Sequence, residues 1–109
     1  MTRADEPPLG SVTEISAKTG ALVRLISGAR FDFQEPQGMA AVGNELFIAD
    51  SGGNAVTEVD AQTGRLLAVM SSRQYNFDSP EGLATYAGHL FVVNTLGDSV
   101  TDISLRRGT

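Results

Sequence analysis

The segment SVTEISAKTG (residues 11–20) returns as AVTEVDAQTG at 55–64 and again as SVTDISLRRG at 99–108. Displacing the chain by 44 positions aligns residues 11–54 with 55–98 without a gap. Of these 44 positions 15 are identical, where chance gives about two or three. The shared set includes Thr13/Thr57, Glu14/Glu58, Gly20/Gly64, Phe33/Phe77, Pro36/Pro80, Gly38/Gly82, Leu46/Leu90 and Phe47/Phe91. A period of this length is a supersecondary unit that cannot bury its own apolar face and must stack on its neighbours.

Within one unit the apolar runs are short and bounded by turn residues, which predicts strands rather than helices. Four strands fit each period: 38–42, 45–50, 55–60 and 65–71, followed in the next unit by 82–86, 89–94 and 99–104. Residues 11–16 and 21–27 are then the third and fourth strands of a preceding unit. Gly43-Asn44 and Gly88, and Gly20 and Gly64, supply residues tolerant of positive φ at the two tight hairpins. The tracts ELFIAD (45–50) and HLFVVN (89–94) do not alternate between apolar and polar residues, so both faces of those strands should be covered.

Four antiparallel strands per unit with both sheet faces buried describe the blade of a β-propeller. The expected fold is all-β, about two and a half four-stranded antiparallel blades: a partial blade at 11–27, a full blade at 37–71 and a partial blade at 81–105. Residues 11–109 form the repeat domain, and 1–10 are expected to be a flexible N-terminal segment. Residues 28–36 and 72–80 cross from the outer strand of one blade to the inner strand of the next. Phe33 and Phe77 are expected to plug the joints, and Pro36 and Pro80 to set the entry into the inner strands.

The run PQGMAAVGNELFIADSGGNAVTEVDAQTG (36–64) resembles NHL-type and YVTN-type propeller repeats in its proline-glycine entry, its apolar second strand ending in Asp or Asn, and its Gly-Asn turn into the third strand. The chain has no Trp and lacks the signature of WD-type repeats. The resemblance implies a propeller and names no substrate, because such repeats occur in scaffolds, lactone hydrolases and lyases.

Composition narrows the partners. With 13 acidic and 8 basic residues the formal charge is −5, which disfavours phosphate backbones and anionic lipid, so neither nucleic acid nor membrane is expected. There is no cysteine, hence no disulfide, thiolate metal site or cysteine nucleophile. No leading apolar run reads as a signal peptide, and the chain as written is expected to be cytoplasmic.

The predicted antiparallel order gathers Gln37, Asp50, Ser51 and Asn54 on one face of the full blade. Glu81, Asn94, Thr95 and Asp98 are their counterparts in the next. Gln37, Asp50, Asn54, Glu81, Asn94 and Asp98 are the candidate ligand-binding residues, since propellers bind ligands at such loop faces. Asp50, Glu81 and Asn94 offer oxygens of the kind calcium takes. Recurrence of Asp50 and Asn94 before Gly-containing turns instead points to loop capping through backbone hydrogen bonds, so no metal and no cofactor is expected. Glu14, Glu58 and Asp102 recur once per unit, as scaffold groups do. His89, the single histidine, falls at the opposite end, where it can serve neither as a channel base nor in a triad.

No catalytic residue stands out. The expected function is a non-enzymatic module mediating protein or ligand binding, with a lactonase-like or lyase-like propeller enzyme as the alternative. Closed propellers use about 4 to 8 blades. The chain is therefore expected to be a piece of a longer propeller, an open array, or a protomer that meets protein partners or copies of itself through exposed blade ends.

Overall fold

Nine strands make up the computed structural model, which describes residues 10–105. The expected flexible segment 1–10 lies, apart from Gly10, outside the described residues. The strands are β1 (Val12–Ile15), β2 (Leu22–Ile26), β3 (Pro36–Val42), β4 (Glu45–Asp50), β5 (Ala55–Asp60), β6 (Leu66–Met70), β7 (Pro80–Tyr86), β8 (His89–Asn94) and β9 (Ser99–Ser104). They form three antiparallel sheets, β1-β2, β3-β4-β5-β6 and β7-β8-β9, each in chain order. The described residues contain no α-helix. A single 3-10 turn, Arg73–Tyr75, interrupts the second crossover, capped by Ser72, whose side chain accepts from Gln74 N. None of the described helices is long and apolar enough to cross a membrane.

The 44-residue period is written into the backbone as well as the side chains. Positive φ occurs in repeat-related pairs: Asp32 (49°) with Asn76 (55°), Asn54 (51°) with Asp98 (50°), and Gly43 (57°) with Ala87 (49°). At the hairpin joining β3 and β4 only Gly43, and not Asn44, takes positive φ. At the matching hairpin both Ala87 and Gly88 (81°) do, the pattern of a type I′ turn, which favours Asn-Gly. Alanine in the left-handed region costs about 1 to 2 kcal/mol. Ala87→Asn is therefore expected to stabilise the chain by about 1 kcal/mol, read as a rise in melting temperature; an unchanged or lower value would show that the turn carries no strain.

The sheets stack through two apolar clusters. Ile26 and Phe33, with Val12 and Phe31 beside them, pack on Ile48, Val59 and Leu46 of the four-stranded sheet. From the other face of that sheet, Phe47 and Val56, with Ala40, Val42 and Met70, pack on Leu90, Val92, Leu83 and Ile103. This is why β4 reads as an unbroken apolar run: alternate side chains enter different clusters. Phe33 (3% exposed) plugs the first joint and stacks on Phe31 at 5.6 Å. Phe77 packs into the second cluster and stacks on Tyr75 at 5.1 Å.

The inner strands begin two residues earlier than the apolar pattern indicates, because Pro36 pairs with Asp50 and Pro80 with Asn94. Register slips between Pro36 and Gly38 and between Pro80 and Gly82, leaving Gln37 and Glu81 as unpaired bulge residues. The second bulge has a packing role. A Cβ built on Gly38 would lie 2.1 Å from the Glu81 carbonyl oxygen, so the bulged backbone of one sheet sits against the bare Cα of the next.

The β5–β6 hairpin is held by Asp60, whose Oδ1 accepts from Gln62 N (2.8 Å) and Thr63 N (3.0 Å). Hydrogen bonds from the Thr63 and then the Gln62 N–H favour the carboxylate and lower the Asp60 pKa. A depressed folded pKa means that this contribution is present above the unfolded carboxylate value and is lost as pH falls through the folded one. The Gln62 and Thr63 amide resonances should accordingly move only in acid, below about pH 4, and Asp60→Asn should remove that transition. Movement of the same resonances near neutrality would contradict the assignment.

Candidate functional site

Where β4 and β8 end, each turns a polar side chain back onto the crossover loop that precedes its own sheet. Asp50, 2% exposed, accepts from Gln34 N through both carboxylate oxygens (3.2 and 3.1 Å) and from Glu35 N at 2.7 Å. Asn94, 1% exposed, accepts from Asp78 N at 3.2 Å. Backbone bonds join the same loops, from Ser51 N to Glu35 O (3.0 Å) and from Thr95 N to Ser79 O (3.1 Å). These geometries are the loop-capping role that the recurrence of Asp50 and Asn94 indicates. A buried carboxylate is tolerable here because backbone N–H groups replace its lost water.

Asn54 adds a link between sheets. Its Oδ1 accepts from Ser79 N at 2.8 Å, fastening the loop after β4 to the crossover that enters β7; Ser79 itself sits at φ 58°. The repeat explains why residue 50 is Asp and residue 94 is Asn. In the second joint two side chains share the loop donors, Asn94 taking Asp78 N and Asn54 taking Ser79 N. In the first joint the counterpart of Asn54 is Gly10, which has no side-chain acceptor, and Asp50 takes both N–H groups.

The other candidates lie apart from this network. Gln37 and Asp98 are exposed and Glu81 is half-buried, Gln37 and Glu81 at the two bulges and Asp98 in the turn before β9. Among the described residues no group of three or more His, Cys, Asp or Glu is placed to hold a metal ion. Glu14 and Asp102 pair across their own sheets. Glu14 Oε1 lies 2.8 Å from Arg24 Nε, an ion pair whose N–H direction falls short of a hydrogen bond. His89 Nδ1 lies 2.8 Å from Asp102 Oδ1, at the opposite end from Asp50 and Asn94.

One exposed apolar surface among the described residues is a sheet face. On the four-stranded sheet Phe47, Ala49 and Val56 are each 0% exposed. Their counterparts 44 residues on, Phe91, Val93 and Val100, lie on the outer face of the three-stranded sheet, where Val93 is 46% and Val100 60% exposed. Tyr86, counterpart of Val42, is 75% exposed and Leu96 73%. A second bare position is Met39, 53% exposed, whose counterpart Leu83 packs against the preceding sheet. No protein-family model and no curated protein matches the chain.

Sequence reasoning reached Asp50, Asn94 and Asn54 but not Thr57, a buried hydroxyl at 1% exposure beside Asp50, because a threonine in a strand reads as ordinary β-propensity. It also missed the interlock at Gly38. The signal was available in Pro36-Gln37-Gly38 and Pro80-Glu81-Gly82, since glycine inside a strand marks a bulge or a close backbone approach.

Proposed function

We propose that the chain is a partial β-propeller of the NHL and YVTN type, working as a non-enzymatic interaction module whose bare sheet faces receive further blades. The copy of the fold already inside the chain says what fits those faces. The outer face of β7-β8-β9 carries Gly82, Phe91, Val93 and Val100 where β3-β4-β5-β6 carries Gly38, Phe47, Ala49 and Val56. What covers the latter is the opposite face of a like sheet. In a second copy the outer part of such a face is covered by β1-β2, whose Val12 holds the place that Val100 would take, and its inner part around Met39 on β3 is bare. The partner arrangement proposed is therefore head-to-tail stacking of β7-β8 on β3, with β9 displaced from the place that β1 holds. It places Gly82 of one copy against the Gln37 backbone of the next, as Gly38 meets Glu81 within the chain.

The observation that carries this reading is the change at one repeat position, from 0% exposure at Ala49 to 46% at Val93. Burial of such side chains contributes about 1.5 to 3 kcal/mol each, enough in sum to drive association. In sedimentation velocity the expected result is a mass that rises with concentration. A single monomeric species up to millimolar concentration would overturn the proposed partner.

A further inference from the structure

Two strands of this chain are nearly the same strand. SVTEIS (11–16), which contains β1, and SVTDIS (99–104), which is β9, differ only by Glu14 for Asp102. Both stand at a sheet edge. Among the described residues β1 pairs with β2 alone and β9 with β8 alone, whereas β5, at the same repeat position, is paired on both sides. The neighbour that β1 lacks is a strand of the β8 kind, and the neighbour that β9 lacks is a strand of the β2 kind.

Towards the four-stranded sheet β9 turns Ser99, Thr101 and Ile103. Asn94 Nδ2 donates to Ser99 Oγ (3.3 Å) and Thr101 Oγ1 (2.9 Å), Thr101 Oγ1 donates to Tyr75 O (2.7 Å), and Ile103 packs on the cluster of Phe47, Val56, Leu90 and Val92. β1 carries the identical residues at the same places, Ser11, Thr13 and Ile15. In β1, however, they lie on the bare face, where Ile15 is 58% exposed and Leu25, register partner of Thr13, is 57% exposed. Seated on β8 of another copy, β1 would set Ser11, Thr13 and Ile15 opposite Asn94, Val92 and Leu90, as Ser99, Thr101 and Ile103 are now. The one differing residue falls on the other face, where Glu14 already holds Arg24 and Val12 already packs in its own chain.

We infer that β9 is an exchangeable strand, replaced on β8 in the stacked form by β1 of the second copy, which makes a mixed sheet β7-β8-β1-β2 with two strands from each chain. This rests on the head-to-tail stacking proposed above, which opens the edge of β8 by displacing β9. Exchange of equivalent elements between copies is a low-cost route to association. The ladder lost between β8 and β9 is returned between β8 and β1, and Ile15 takes the place that Ile103 gives up. The net gain is the cover of Val93 and Met39 and the arrival of β2 as a fourth strand. Each copy then adds two sheets, one its own and one shared, so the about 4 to 8 blades of a closed propeller correspond to about two to four copies.

The test is strand contact between chains of the wild-type protein. In a mixture of isotope-labelled and unlabelled copies, isotope-filtered Overhauser contacts should join residues 89–94 of one chain to 11–16 of another, while contacts between β8 and β9 fade as the associated fraction grows. The His89 ring resonances should shift with them, because Asp102, now 2.8 Å from Nδ1, leaves with β9. A covalent lock gives the second readout. His89→Cys with Ser104→Cys joins register partners at a spacing that a disulfide spans, and the oxidised chain should stay monomeric at concentrations where its reduced form associates. If the locked chain does not fold, the wild-type contacts decide alone. An associated species that keeps its β8–β9 contacts, or an oxidised chain that associates as readily as the reduced one, would overturn the exchange and leave stacking standing. A wild-type chain that stays monomeric up to millimolar concentration would overturn both.

Discussion

Replacing Gly38 with alanine is expected to cost about 3 kcal/mol, a large part of the roughly 5 to 15 kcal/mol that holds a domain of this size. The added Cβ would fall 2.1 Å from the Glu81 carbonyl oxygen, and backbone bounds the contact on both sides, so no flexible side chain can yield. Relief requires the four-stranded and three-stranded sheets to part, which opens the cluster formed by Phe47, Val56, Leu90 and Val92. The control is built into the repeat. A Cβ at Gly82 meets nothing in its own chain closer than Val93 Cγ2 at 3.7 Å, an ordinary contact, so Gly82→Ala should leave the stability of the unassociated chain within about 0.5 kcal/mol. Urea unfolding of the two variants reads the difference directly, and equal losses would mean that the bulge and the glycine do not interlock.

Phe47→Ala carries the second large effect, with an expected loss of about 3 to 5 kcal/mol. Its ring is 0% exposed and sits between two sheets, with Val56 beside it and Leu90 and Val92 opposite. Truncation leaves a cavity that neither sheet can close without shifting the bulged contact at Gly38. Phe91 is the same residue one unit later, half-buried on the bare outer face, and there it stacks only on the His89 ring at 6.0 Å. Phe91→Ala should cost about 1 kcal/mol or less in the unassociated chain. The contrast, measured as a shift in the urea midpoint at constant m-value, separates the position in the stack from the identity of the side chain.

These pairs also show what the sequence made legible. Bounds of 45–50, 55–60, 89–94 and 99–104 follow from apolar runs closed by turn residues, and β4, β5, β8 and β9 keep them. The outer strands came out shorter than expected, Leu66–Met70 within 65–71, because a strand paired on one side only frays at its ends. The bulges at Gln37 and Glu81 were less visible, since a bulge is a relation between two strands and a single-strand pattern does not contain it. Asp50 and Asn94 announced themselves by recurrence. The buried hydroxyl of Thr57 did not, because its lack of a hydrogen bond is a difference between repeats: Thr101, 44 residues on, accepts from Asn94 Nδ2 and donates to Tyr75 O, whereas Asp50 brings no N–H to Thr57.

Complementation between two surface variants tests the central claim, that the outer face around Val93 stacks on the face around Met39 of another copy. Val93→Lys blocks one face and Met39→Lys the other, and both side chains are exposed, so each variant should fold. The measurement is the sedimentation mass of each variant alone and of their equimolar mixture. The account predicts monomers for each alone and a heterodimer in the mixture, joined through the intact Val93 of one and the intact Met39 of the other. Self-association of Met39→Lys by itself, or a mixture that stays monomeric while the wild type associates, would contradict it.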